Sequence, residues 1–149
     1  MPTHADSRVL PYGADQMYNL VADVASYPDF LPWCAAARIR SRRTDGAKEV
    51  LEADLVISFK VFRERFGSRV TLDKSARRID TEYLDGPFKY LKSYWVFTDR
   101  PEGGCRVEFF VDFEFRNAVL QRLIGVVFQQ AMQRIVRAFE TRAGVLYES

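Results

Sequence analysis

The side chains that most often carry chemistry are scarce in this chain and badly spaced for it. Its single histidine, His4, stands near the N-terminus, and its two cysteines, Cys34 and Cys105, are far apart with no CxxC or Cys/His grouping around either. Zinc ligation needs several such side chains at short, paired spacings, and a nucleophile needs a base within reach. The sequence therefore offers no metal site and two reduced, packed thiols. A histidine beside a frayed terminus also leaves general acid–base catalysis without its usual agent, so no catalytic residue is assigned.

One carboxylate stands out. Glu64 lies between Phe62 and Phe66, and in a strand residues two apart share a face. Strict register would send a charge into an apolar space, where an unpaired carboxylate is costly. Three outcomes stay open: pairing with an arginine, a hydrogen bond to the polar head of a ligand, or a bulge that turns Glu64 outward. Trp33, between Pro32 and Cys34, either closes the mouth of a pocket or anchors a turn.

Arginines form the other conspicuous set. Arg38, Arg40, Arg42 and Arg43 fall on or near the outer face of one expected strand, and Arg63, Arg65 and Arg69 on the outer side of another. A formal net charge of +2 is too small to suggest DNA. The patch reads as a solvated face, or as a contact for anionic lipid headgroups or ribosomal RNA.

The elements that must position these residues follow from periodicity. Arg8-Val9-Leu10 is a short strand, and Met17, Leu20, Val21 and Val24 sit at helical spacing in a stretch from Ala14 to about Ala25. SYPDFLPWC (Ser26 to Cys34) carries two prolines and reads as a lid or corner. From Ala35 to Phe115 the period is two, broken by turn signals at Asp45-Gly46, Asp85-Gly86-Pro87 and Gly103-Gly104. From about Asn117 to Tyr147 helical spacing returns, with Leu120, Leu123, Val127, Ala131, Ile135, Phe139 and Leu146 as one stripe. That helix is apolar nearly all round in its first half and arginine-rich on its wet face in the second.

The expected architecture is α+β, one domain over residues 1–149, with six to seven antiparallel strands curved around a long C-terminal helix. One helix is only ~10–12 Å across and cannot fill the concavity of such a sheet, so an apolar cavity is expected. Register assigns its wall to Phe59, Phe62, Phe66, Leu91, Trp95, Phe97, Phe109, Val111 and Phe113, with Val127 and Ala131 from the helix and Trp33 at the mouth. The N-terminus has neither a signal-peptide h-region nor an Arg-rich presequence, so a cytoplasmic, bacterial-type protein is expected, at most peripheral to the inner membrane.

Five segments together resemble one family: SYPDFLPWC, FRERFGSRVTL (Phe62 to Leu72), LDGPFKYLKSYWVF (Leu84 to Phe97), VEFFVDFEF (Val107 to Phe115) and RAFETRAGVLY (Arg137 to Tyr147). They are similar to the coenzyme Q-binding START-domain family of the helix-grip superfamily, whose bacterial branch includes proteins described as ribosome association toxins. The resemblance implies a helix-grip fold that binds ubiquinone or a related isoprenoid quinone as ligand, supports respiratory electron transfer, and has no catalytic cofactor. It implies, as an alternative, a partner in the large ribosomal subunit. Polyketide cyclases share the fold, which leaves a cyclase-like enzyme as a third reading.

Overall fold

Alternating apolar and polar residues produce seven strands, and the two helically spaced stretches produce two helices. The computed structural model describes residues 3–59 and 62–147, leaving aside the side chains at 59, 62 and 127. In chain order they are β1 (Thr3–Leu10), α1 (Ala14–Ala22), a 3₁₀ turn (Val24–Asp29), β2 (Cys34–Asp45), β3 (Lys48–Phe59), β4 (Phe62–Asp73), β5 (Arg78–Asp85), β6 (Phe88–Asp99), β7 (Cys105–Phe115) and α2 (Ala118–Tyr147). The strands form one antiparallel sheet in the order β1-β7-β6-β5-β4-β3-β2. Both helices lie on its apolar face, as in the expected helix-grip architecture.

Local chemistry sets the boundaries. Asn117 caps α2, its Oδ1 accepting from the backbone of Val119 and Leu120 at 2.9 and 3.1 Å. Asp99, at the end of β6, does the same for α1 by accepting from Ala14 N at 2.9 Å. Between β6 and β7, Gly104 has φ +73°, and any side chain there would run into the Leu10 carbonyl.

Two expectations change. The first strand begins at Thr3 and pairs with β7 through all eight residues, so the stretch from Thr3 onward is ordered in the sheet and His4 is buried. Its Nδ1 lies 2.7 Å from Gln129 Oε1 on α2. In α2, Leu120, Ile124, Phe128, Ala131, Met132, Val136, Phe139 and Ala143 face the sheet, while Leu123 and Leu146 are exposed. The expected stripe counted apolar residues on both flanks of the helix, and only one flank meets the sheet.

The outer arginines also need correcting. A bulge between Ile39 and Ser41 shifts register, which sets Arg42 opposite Leu51, on inward parity, while Arg38 and Arg43 stay outward opposite Asp54 and Val50. Arg42 binds Glu49 at 2.6 Å, and Arg69 binds Glu52 at 3.2 Å. Arg40 crosses above Gly67, where a Cβ would collide with its guanidinium. From there it reaches Asp54 at 2.9 Å and Asp85 at 3.3 Å, and Arg65 joins the same carboxylates at 2.6 and 3.1 Å. Much of the expected basic patch is thus self-neutralised; Arg38, Arg43 and Arg63 are exposed.

Hydrogen bonds from Arg40, with Arg65 beside it, hold the Asp54 carboxyl below the usual carboxylate range. A depressed folded value stabilises the fold in full above the unfolded value, and that contribution is lost as pH falls through the folded value. Asp54→Asn is expected to lower stability at neutral pH and to flatten the loss of stability in acid. Thermal unfolding from neutral to strongly acidic pH measures this; identical curves for variant and parent would reject it.

Candidate ligand cavity

The inward rows of the sheet meet α2 and the Val24–Trp33 corner around an internal cavity of about 230 Å³. Register builds its floor. Val70 on β4 pairs with Thr81 on β5, Thr81 with Ser93 on β6, and Ser93 with Val111 on β7, so these four side chains form one row. The neighbouring row is Ile79, Trp95 and Phe109, and Leu55 opposite Phe66 closes the β3–β4 side. Ile135 and Phe139 from α2 form the roof, and Tyr27, Leu31, Pro32, Trp33 and Cys34 form the corner.

The corner is held by a few specific contacts. The Tyr27 hydroxyl donates to the Val21 carbonyl, and its ring sits edge-on to Phe139 at 5.4 Å. Trp33 takes φ +65°, a region that non-glycine residues seldom occupy, while its carbonyl accepts from Ser58 N at 2.8 Å. The Arg134 guanidinium lies 5.2 Å from the Trp33 ring centroid. A residue in this conformation that is both hydrogen-bonded to the sheet and stacked under a cation is held in place from two sides.

The cavity is electrically neutral. Its titratable lining groups are Tyr27 and Cys34, and burial raises both above their ordinary values, which keeps them protonated at neutral pH. Its polar lining is mainly three hydroxyls, on Ser68, Thr81 and Ser93, and Ser68 is only 2% exposed. Hydroxyls on an otherwise apolar wall can each donate and accept, so the cavity suits an occupant that is mostly apolar and carries hydrogen-bonding oxygens.

Of the residues expected to form the wall, Trp33, Phe66, Leu91, Trp95, Phe109 and Val111 line this cavity. Phe97, Phe113 and Ala131 are buried but serve as packing: Phe97 stacks on Trp95 with centroids 6.1 Å apart, and Phe113 contacts Phe88, Phe115 and Phe128. The side chains of Phe59, Phe62 and Val127 lie outside the described residues. Glu64 keeps inward parity opposite Ile57 without a bulge, yet it is exposed, because it sits near the tip of the β3–β4 hairpin. It does not enter the apolar space. His4, though interior, faces Gln129 and does not line the cavity.

The residues missed are the hydroxyl row, the Tyr27 and Leu31 side of the corner, and Ile135 with Phe139. Stepping by two from Phe66 would have reached Ser68 and Val70, and Ile135 and Phe139 were already in the helical stripe. Among the described residues no group of three or more His, Cys, Asp or Glu is placed to hold a metal ion, and no helix is long and apolar enough to cross a membrane.

Comparison with known proteins places this geometry in context. The model of the family described as polyketide cyclase/dehydrase and lipid transport matches residues 10–140. The chain is 41% identical to a ribosome association toxin, RatA, of Rickettsia prowazekii over 92% of each chain. It is 32% identical to the mitochondrial coenzyme Q-binding protein COQ10 homolog B of Xenopus laevis, over 97% of this chain and 59% of that one. Among solved structures it resembles the 18 kDa protein CC1736 of Caulobacter crescentus, with a TM-score of 0.82 and 38% identity over all of both chains.

The raised Cys34 value yields a direct test. A thiol that holds its proton above the usual range reacts slowly at neutral pH. Modification of Cys34 by an aromatic disulfide reagent is expected to lag well behind free cysteine, and to accelerate only at more alkaline pH. Comparison with Cys34→Ser separates it from the buried Cys105. Reaction at the rate of a free thiol would contradict the half-buried placement of Cys34.

Proposed function

The chain belongs to the polyketide cyclase/dehydrase and lipid transport family, and from that membership we propose that it binds the head ring of ubiquinone or a related isoprenoid quinone in its internal cavity. The observation that carries this reading is the pairing of aromatic walls with three hydroxyls, on Ser68, Thr81 and Ser93, around a neutral space of about 230 Å³. A dry apolar cavity of ~150 Å³ accepts benzene, so this one has room for a substituted ring. Quinone carbonyls are acceptors for which Ser68, Thr81 and Ser93 can supply donors.

A long isoprenoid tail exceeds the cavity and would leave by the corner. Leu31 and Pro32 line both the cavity and an adjoining surface groove, which gives such a tail a continuous path. Each ~200 Å² of apolar ligand surface removed from water contributes roughly 5 kcal/mol before ordering costs. With only protonated Tyr27 and Cys34 as titratable groups on its walls, the site serves holding and presentation rather than turnover. The name of the COQ10 relative supports a quinone as the cargo.

A second reading has its own support, in the names of the RatA relatives. On that reading the protein acts by contact with the large ribosomal subunit. Sucrose-gradient sedimentation at physiological salt distinguishes it: co-migration with subunits that survives emptying of the cavity would favour it.

Organic extraction of protein purified from a quinone-rich host, followed by mass spectrometry, is expected to recover quinone in near-stoichiometric amount; recovery of none would refute the proposal. Thr81→Val and Ser93→Ala are each expected to weaken binding of a short-chain quinone by about 3- to 10-fold, the worth of one hydrogen bond. Ser93→Phe should fill the cavity and abolish binding while the far-ultraviolet spectrum is kept. Quenching of Trp33 and Trp95 fluorescence, both of which line the cavity, reads all three.

A further inference from the structure

We infer that the outward face of α2, together with the adjoining corner, is a docking surface for an anionic phospholipid bilayer. Val119, Leu123 and Val126 are exposed on α2, Val126 at 83%, at spacings of four and three that align them along one side. Arg134 and Arg137, also exposed, continue that side toward the C-terminal end, and Arg122 flanks it.

Charge selects the partner. Among the described residues no carboxylate lies within ion-pair range of Arg122, Arg134, Arg137 or Arg142, whereas Arg40, Arg42, Arg65 and Arg69 on the sheet are all paired. The single acid of α2, Glu140, is bound by Arg8 at 3.2 Å. Asp29 is the one carboxylate lining the groove beside Arg134, Arg137 and Arg142. Arg134 and Arg142 lie over the rings of Trp33 and Phe30, which positions their charge without cancelling it. A helix with unneutralised arginines interleaved with exposed valine and leucine suits the interface of an anionic membrane, where apolar side chains enter and cations meet headgroups. RNA would reward the arginines and leave the exposed valines without a partner.

Position adds an independent argument. The arginine-rich end of this face adjoins the groove that shares Leu31 and Pro32 with the cavity, so docking sets the cavity mouth against the bilayer. The inference stands on the surface alone and does not depend on which molecule fills the cavity.

Co-sedimentation of the full chain with phosphatidylcholine vesicles, with and without phosphatidylglycerol, tests it. Binding is expected only to the anionic vesicles and should weaken with salt. Arg134→Gln with Arg137→Gln should reduce binding by roughly 10- to 30-fold. Leu123→Ser with Val126→Ser should reduce it at unchanged thermal stability, and Arg43→Gln with Arg63→Gln on the sheet should leave it intact. Equal binding of parent and arginine variant, or loss only in the sheet variant, would overturn the assignment. So would parent protein that ignores anionic vesicles but shifts with ribosomal RNA.

Discussion

A single α-helix is too narrow to cover seven strands, and the space this leaves is treated differently at the two ends of the core. At one end rings fill it: Phe88 stacks on Phe115 at 4.6 Å and meets Phe66 and Phe113 edge-on, and Phe113 reaches Phe128 of α2. At the other, Trp95 packs on Phe109 at 4.4 Å and against Phe139, which also meets Tyr27 and Phe30. Phe66 bounds the cavity on the first side and Trp95, Phe109 and Phe139 on the second, so the void is framed by two aromatic clusters. Large planar side chains hold such a gap open because their edges and faces lock against one another, whereas flexible aliphatic chains would collapse into it.

Much of this frame was legible in the sequence. Period-two alternation located the strands and their inward residues, and glycines marked the turns. Five of the expected wall residues, Phe66, Leu91, Trp95, Phe109 and Val111, line the cavity because parity alone decides which face a strand residue takes. Parity does not say how far the cover extends, so it directs Glu64 inward although its strand runs past the covered region. Nor does it register a bulge, which is why Arg42 was grouped with outward arginines. The hydroxyl row stayed hidden for a different reason: serine and threonine on an inward face resemble interruptions of a pattern, and only cross-strand register shows Thr81 and Ser93 side by side. The Tyr27 contact is a matter of tertiary packing around two prolines, with no periodic signal at all.

Charge is partitioned with the same geometry. On the convex side of the sheet, cross-strand neighbours in β3, β4 and β5 put acids beside arginines, so Asp54 and Asp85 flank Gly67 and receive Arg40 and Arg65. Exposed pairs of this kind contribute little stability singly, but a shared network fixes strand register and removes net charge from that face. Along α2 the turns carry almost no acid, so arginines there remain unneutralised. A modest net charge of +2 therefore conceals an uneven distribution.

The cavity itself opposes folding. Side chains that line a space of about 230 Å³ forgo, on that side, the contacts a packed core would give them. A domain whose total stability is typically ~5–15 kcal/mol can carry such a deficit only if the remainder is well packed. Met17, Leu51 and Ile79 are at most 2% exposed, and the sheet is continuous from β1 to β2. An occupant that restored those contacts would stabilise the folded state by its own binding energy, so affinity and the stability of the fold are linked quantities. On the proposed reading, the same aromatic walls and hydroxyls that leave this part of the core unfilled by side chains are the ones that would select an apolar ring bearing hydrogen-bonding oxygens.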